Sequence, residues 1–498
     1  MRATYGTFEE VSGADPALYN EDLAPTTARG RTWDWKAIAA LWVGMVVCVP
    51  TYLLASGLIA QGMSWDQAVF TVLLGNVIVL VPMLLVGHAG TRYGIPFPVL
   101  CRSAFGTIGA RIPGLLRGFV GCGWFGIQTW IGGQAIYVIL NTLTGNAFDG
   151  APLPLLGIDL AQTLCFLGFW ALHVVFIHYG TESIKWLEQL AAPFLLLMGL
   201  ALLVWAYVAA GGFGQMLSTP SAFAEGGEKA GQFWAVFVPG LTAMVGFWAT
   251  MALNIPDFTR FAKSQRDQVV GQVVGLPIPM ALFAFIGVAV TSATVVIYGE
   301  AIWDPVELAS RMGGVGVVVS LVALIVATLT TNLAANVVAP SYGFSNLAPA
   351  SISFRTGGYI TALIGILIFP WKLLATAGDY IFIWLIGYSA LLGPIAGILI
   401  ADYFFYRKSR LHAHDLFRAH GIYAAEGGWN WAGITALVLG ALPSVPGFLK
   451  AAGIVAAVPP VFDTVYGYAW FVGLFVGAAA YLALNPVFNR HRLVHVTA

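Results

Sequence analysis

The chain has 498 residues, 59% of them hydrophobic and only 9% charged, with 23 basic residues balanced by 23 acidic ones and a mean hydropathy of +0.82. Soluble domains carry about 25% charged residues, so this composition excludes an ordinary soluble protein and indicates an integral membrane protein of many spans. Zero net charge gives no electrostatic footprint for nucleic acid, and the four scattered cysteines (Cys48, Cys101, Cys122, Cys165) have neither metal spacing nor a disulfide pattern.

Residues 1–36 are polar and lack the apolar run of a signal peptide, so they read as a tail. A membrane-spanning helix needs about 20 apolar residues. Segments of that kind predict twelve spans, near 37–60, 68–88, 113–141, 160–179, 189–210, 232–255, 273–298, 314–338, 357–371, 378–404, 430–447 and 466–486. The organisation expected is a cytoplasmic tail (1–36), a core of helices one to ten (37–404), a loop with helices eleven and twelve (405–486) and a cytoplasmic tail (487–498). Lys and Arg favour the cytoplasmic side of membrane proteins. With twelve spans, 19 of the 23 basic residues fall on the side of the tails, and Lys229, Arg311, Lys372 and Lys450 on the other. The expected location is therefore a bacterial inner membrane, multi-pass, with both termini cytoplasmic.

Span one carries Val49-Pro50 at mid-membrane. Proline removes a backbone donor, which leaves carbonyls near Gly44 to Val47 seeking a partner. A bound cation is one candidate, and a proline kink sealed by neighbouring helices is the other. Span three holds Trp124 and Gln128, four residues apart and so on one helix face. One offers a flat ring and the other an amide that both donates and accepts. A flat, neutral, hydrogen-bonding solute suits this face, and simple packing of Trp and Gly is the alternative. Span six reads Val245-Gly246-Phe247-Trp248-Ala249-Thr250, then Asn254-Ile255-Pro256-Asp257. Two interrupted helices five spans apart point to two inverted five-helix repeats with the site at the midplane.

Span eight contains the most polar stretch within any span, from Ala327 through Thr328, Thr330, Thr331 and Asn332 to Asn336. Polar groups there are costly and face the bundle interior. The threonines can bond back to their own helix, an outlet that Asn336 lacks. No Asp, Glu, Lys or Arg lies at the middle of an expected span, while Asp257, Glu188 and Asp402 sit at span ends. A proton relay uses an intramembrane carboxylate or histidine, for which His173 and His178 are secondary candidates. A hard cation held by carbonyl and hydroxyl oxygens fits better. The loops Gly90–Pro98 and Asp257–Phe261 read as anchors on the cytoplasmic side, with charge pairing between them as the alternative.

Several pieces together resemble the nucleobase–cation symporter family 1. They are Asn20-Glu21-Asp22-Leu23-Ala24-Pro25, Tyr93-Gly94-Ile95-Pro96-Phe97-Pro98-Val99, Trp124-Phe125-Gly126-Ile127-Gln128-Thr129-Trp130, Asn254-Ile255-Pro256-Asp257-Phe258-Thr259-Arg260 and Thr331-Asn332-Leu333-Ala334-Ala335-Asn336. Val49-Pro50-Thr51-Tyr52 and Phe247-Trp248-Ala249-Thr250 are similar to the plant plastid nucleobase transporters of that family. The resemblance implies an all-α fold of twelve helices. Ten form a five-plus-five inverted repeat of the leucine-transporter type, and two more are C-terminal. It also implies alternating access, with spans one, two, six and seven rocking against three, four, eight and nine.

By that resemblance Trp124 and Trp248 sandwich the ring, Gln128 and Asn336 bond its edge, and the backbone around Gly246 and Phe247 adds contacts. Cations would use the carbonyls of Gly44, Val47 and Ala327 with the hydroxyls of Thr330 and Thr331. Cys48 stands where the family's hydantoin carriers have glutamine. Phe247 replaces their glycine, which should disfavour large ring substituents. The expected function is uptake of a flat neutral nucleobase, uracil first, with sodium favoured over proton. Allantoin, hydantoin, dihydropyrimidines and purine bases are the alternatives. No cofactor beyond the coupling ion is expected. The expected partners are the small-molecule solute and the bilayer, with neither nucleic acid nor an obligate protein. A passive channel is a further alternative. An enzyme is not expected, because no nucleophile, metal cluster or carboxylate pair is visible within the spans.

Overall fold

The computed structural model describes residues 11, 13–179, 181–312, 314–374 and 379–489, and the side chains of 181–192, 314, 379, 380 and 382 are not among those described. Parts of both expected tails, with Arg2, Arg490 and Arg492, therefore lie outside it, as do the side chains of Lys185 and Glu188. All regular structure among the described residues is helical.

Span one is a broken pair, Trp35–Val46 and Val49–Ala60, bent by 57°. Span two is Trp65–Tyr93, span three Arg111–Thr144, span four Leu160–Tyr179 and span five Thr181–Ala209. Span six breaks into Phe233–Phe247, Ala249–Asn254 and Pro256–Thr259. Span seven is Gln265–Gly275 with Pro277–Tyr298, span eight Gly314–Leu347 and span nine Phe354–Leu367. Span ten runs from Asp379 to Tyr406 with a π-helical turn at each end, span eleven from Trp431 to Ala451, and span twelve is Ala469–Phe488. Seven of these units are long and apolar enough to cross a membrane, and the bent first pair makes an eighth. Spans five, six and nine contribute shorter apolar helices, and span three carries Arg111 and Arg117 in its first two turns.

Local signals set the ends. Asp34 caps span one by accepting from the Ala37 amide at 3.0 Å. Ser64 and Gln67 form a capping box at the start of span two, and Gly94 closes it at φ 70°, a left-handed conformation that glycine adopts without strain.

The packing repeats itself at an offset of five. Span one packs on span seven, and span two on span six. Spans three and four pair as do eight and nine, and span three packs on nine as span eight packs on four. Spans two with seven and three with eight, each its own counterpart, meet directly. This is the contact pattern of two structural repeats related by an internal two-fold. Spans eleven and twelve pack against span ten, outside the repeats. The glycines of span three serve close approach. A Cβ at Gly133 would meet the Phe166 Cα at 2.7 Å, and one at Gly126 would collide with the Gly365 carbonyl.

Four features differ from the expectations. Span eight continues past Pro340 to Leu347, because Gly121 leaves room for the proline ring. Two short helices, Phe97–Phe105 and Pro305–Met312, occupy connections read as loops, and the first is wholly buried. Arg117, counted as a basic anchor, is 1% exposed inside span three. The loops at Gly90–Pro98 and Asp257–Phe261 do meet, through the Phe97 amide and the Asp257 carboxylate at 2.8 Å.

The N-terminal segment lies as a strap over the side of the molecule bearing the tails, here the tail side. Arg260, just after span six, donates to the Thr26 hydroxyl at 2.7 Å and to the Ala24 and Asp22 carbonyls at 2.8 and 3.2 Å. Arg31 donates to the Thr91 carbonyl of span two at 2.8 Å. The same segment also reaches spans eight and nine. Asn20 donates to Ser345 at 2.8 Å, and Asp22 accepts from the Phe354 amide at 3.0 Å.

Candidate functional site

The two helix breaks face one another at the centre of the bundle. In span one the Cys48 amide bonds the Val46 carbonyl at 2.9 Å instead of the Gly44 carbonyl four residues back, and Pro50 offers no N–H to Val46. In span six the helix interrupts at Trp248, whose φ of −98° and ψ of 6° lie outside the α-helical range. Between the breaks lies a narrow cavity with about 360 Å³ free of atoms, lined by Met45, Cys48, Pro50, Trp124, Gln128, Phe247, Trp248, Thr250, Met251, Thr331, Ala335 and Asn336. Spans one, three, six and eight all contribute. The lining holds no charged side chain.

Six of the seven substrate residues named from the sequence line this cavity: Cys48, Trp124, Gln128, Phe247, Trp248 and Asn336. Gly246 does not. It sits behind the cavity, so close to span ten that a Cβ there would collide with the Ser389 hydroxyl. Trp124 is held edge-on to Phe247 at 5.4 Å, Trp384 at 5.9 Å and Tyr388 at 6.4 Å between ring centroids. Trp248 is held edge-on to Phe247 at 4.9 Å and Trp42 at 5.1 Å. These edge-to-face arrangements are the favoured ones for aromatic pairs, and they fix both indoles in place. Gln128 Oε1, Trp248 Nε1 and Thr331 Oγ1 are buried without a protein partner. Each such orphaned group costs about 1–3 kcal/mol, so three around one cavity mark a place where a ligand completes the bonding.

The residues named for a cation are split between two places. The Gly44 carbonyl has lost its usual amide donor, and the Thr331 hydroxyl is orphaned. The Thr330 hydroxyl turns back on its own helix, to the Val326 and Ala327 carbonyls at 3.0 and 3.1 Å. Val47 and Ala327 border a second, almost wholly apolar cavity, which extends to Tyr52, Phe283 and Leu308. Cys48 borders both cavities. Of the named oxygens, the Thr331 hydroxyl is the unpartnered one that lines the central cavity, and a hydroxyl oxygen is of the kind a hard cation takes.

The two histidines named as candidate proton carriers, and Asp402 at a span end, are engaged with other groups. Asp402 is paired with Arg407 at 2.8 Å and also accepts from Ser103 and Tyr481. His178 meets the Tyr359 hydroxyl at 2.8 Å near the surface. His173 is fully buried against Asn332. Among the described residues no cluster of three potential metal-ligating His, Cys, Asp or Glu side chains occurs.

Arg117 is the residue that sequence reasoning misplaced. Its Nε donates to the Thr250 carbonyl at 3.1 Å and to Asn254 Oδ1 at 3.0 Å. It therefore ties span three to the broken part of span six directly beneath the cavity, on the tail side. The signal available in sequence was its position, six residues inside a span of 34.

Residues 25–473 match the family profile for permeases of cytosine and purines, uracil, thiamine and allantoin. The chain is 47% identical over 475 residues to the purine-uracil permease NCS1 of Arabidopsis thaliana, covering 95% of this chain and 78% of that one. It is 41% identical to the allantoin permease of Bacillus subtilis, covering 94% of each. Its structure is similar to that of Mhp1, a nucleobase-cation-symport-1 family transporter, in a closed conformation with bromovinylhydantoin bound (TM-score 0.75, 26% identity, 95% and 96% of the two chains). A sodium-coupled sialic acid symporter shares the fold at a TM-score of 0.64 and 13% identity, covering 92% of this chain and 91% of that one. The relatives are transporters, not enzymes, and the broken spans, the five-span repeat and the neutral cavity between them agree with that. The chain belongs to the nucleobase–cation symporter family 1, as a multi-pass nucleobase, allantoin or hydantoin permease of the Mhp1 fold.

Proposed function

We propose that the chain is a secondary active importer that carries a flat neutral nucleobase, uracil foremost, together with a cation by alternating access. The observation that carries this reading is the cavity itself, with two fixed indoles, two carboxamides and no charge. A ring stripped of water needs flat faces for stacking and partners for its edge amides. Phe247 narrows the slot, which favours a small unsubstituted ring. The purine-uracil permease of Arabidopsis supports uracil or a purine, and the allantoin permease of Bacillus supports a cyclic ureide as the second reading. The proposed setting is a bacterial inner membrane with both termini cytoplasmic, and the excess of basic residues on the tail side, which persists without the buried Arg117, supports that orientation of the termini.

The proposed coupling ion is sodium. Gly44, Val47 and Ala327 would supply carbonyl oxygens, and Thr330 and Thr331 hydroxyls. A cation so held supplies positive charge to the carbonyl end of the broken helix and links span one to span eight. Coupling is reciprocal, so each ligand tightens the other.

The test is uptake of labelled uracil into cells making the protein, with competition by uracil, adenine, allantoin and hydantoin, with and without sodium. Uracil competing best, with sodium-dependent accumulation that an ionophore abolishes, is the expected result. Competition by allantoin or hydantoin alone moves the substrate to the cyclic ureides. Equilibration without accumulation makes it a channel. Thr331→Ala is expected to raise the sodium needed for half-maximal uptake several-fold while leaving the order of competitors unchanged. A changed order with an unchanged sodium requirement would remove Thr331 from the cation site.

A further inference from the structure

Behind the cavity a chain of side chains runs from span eight into span four. Asn336 Nδ2 lies 3.0 Å from Asn332 Oδ1. Asn332 Nδ2 lies 3.0 Å from the Phe125 carbonyl, 3.2 Å from the Thr129 hydroxyl and 3.1 Å from His173 Nε2. His173 Nδ1 lies 2.9 Å from the Phe169 carbonyl. His173 and Asn332 are both fully buried.

The two backbone carbonyls at the ends fix the direction of every bond between them. A carbonyl only accepts. The Asn332 atom facing Phe125 must therefore be its NH2 group, and the Thr129 hydroxyl agrees, because its own proton goes to the same carbonyl at 2.7 Å. The His173 nitrogen facing Phe169 must carry the proton, which leaves Nε2 as the acceptor that Asn332 needs. Asn332 then has only its oxygen to offer Asn336, and Asn336 must answer with its NH2. Asn336 then keeps its carbonyl oxygen and its second N–H for the cavity that this residue lines, with the oxygen held on the side away from Asn332. Gln128 differs: its Oε1 has no protein partner, and no side chain fixes its amide.

We propose that His173 and Asn332 are positioning residues that lock the Asn336 amide in one orientation, so that the ring edge lying against its carbonyl oxygen must present an N–H. This rests on the cavity being the substrate site. Cyclic amides and ureides satisfy the requirement. A ring with oxygen in place of that N–H does not, because two acceptors would face each other with no proton between them. Turning the Asn336 amide to suit such a ring would set Asn336 oxygen against Asn332 oxygen, and the chain forbids it back to Phe169.

Two measurements test this. The first needs no substrate. In 15N-histidine spectra of the full chain in detergent, with His173→Gln assigning the signal, His173 is expected as a neutral imidazole protonated on Nδ1. A proton on Nε2 would overturn the proposal whatever the chain transports. The second compares uracil with its two ring-oxygen isosteres, each having one N–H replaced by O, as competitors of uracil binding. A buried acceptor left unpaired rejects such a ring strongly, so the wild-type protein is expected to disfavour one isostere by about tenfold or more. Asn332→Leu frees Asn336 to turn and should bring that ratio close to one. His173→Gln, which keeps an acceptor toward Asn332 and a donor toward Phe169, should restore the wild-type ratio, and His173→Leu should not. An unchanged ratio in Asn332→Leu, or in His173→Leu should Asn332→Leu not reach the membrane, sinks the proposal. If uracil does not bind at all, the proposed substrate fails while the tautomer still decides the lock.

Discussion

Replacing Trp248 by Ala is expected to abolish uptake while leaving the protein in the membrane, and Trp124→Ala should do nearly as much. Stacking on an aromatic platform contributes about 1–3 kcal/mol per base. At about 1.4 kcal/mol per factor of ten, losing one of two platforms weakens binding roughly five- to 150-fold. The indoles do more than stack. Trp248 leans on Trp42 of span one and on Phe247, so its removal loosens the region where spans one and six meet. Trp124 is wedged among Phe247, Trp384 and Tyr388, and an alanine there lets those rings fall into the slot. Trp→Phe at either position should retain measurable binding, because a smaller flat face remains. Direct binding of labelled substrate to purified protein checks this. Affinity within twofold of wild type in both Ala variants would move the substrate elsewhere.

Arg117→Met carries the second large effect. Methionine fills much of the space but offers no donor, so Asn254 Oδ1 is left buried and unpaired, at about 1–3 kcal/mol, and the Thr250 carbonyl loses the donor it has beyond its own helix. Those two bonds join span three to span six on the tail side of the cavity. Their loss should favour conformations open on that side. Cys48, which lines the cavity, reports this in a background where Cys101, Cys122 and Cys165 are serine. An impermeant maleimide applied from the tail side should label it markedly faster in Arg117→Met, and concentrative uptake should fall. Equal labelling with normal uptake would show that Arg117 only fills space.

The sequence reveals features that repeat locally. Long apolar runs give the spans, and Pro50 flags the break in span one, whereas the break at Trp248 in span six falls eight residues before Pro256. The spacing of four places Trp124 with Gln128, and Asn332 with Asn336, on shared faces. What stays hidden depends on partners far along the chain. Counting basic residues by side treats Arg117 as an anchor, since nothing nearby reveals Thr250 and Asn254, 133 and 137 residues away. His173 reads as a lone titratable group until span eight brings Asn332 to it across 159 residues. Gly246 reads as a ligand contact beside Trp248, yet its missing side chain makes room for Ser389 of span ten. Short buried helices such as Phe97–Phe105 escape because nine residues cannot span a membrane.

The strap formed by residues 20–31 has a kinetic consequence. It is bonded to spans two and six and also to spans eight and nine, partly through its own backbone carbonyls. In the proposed alternating-access cycle, opening on the tail side must break one of these sets. The bonds contribute little to holding substrate, because none touches the cavity, but their rupture adds to the activation barrier for opening. In that proposed cycle the N-terminal segment would act as a governor on turnover: weakening it should quicken the cycle, and leak, before it alters which solute is carried.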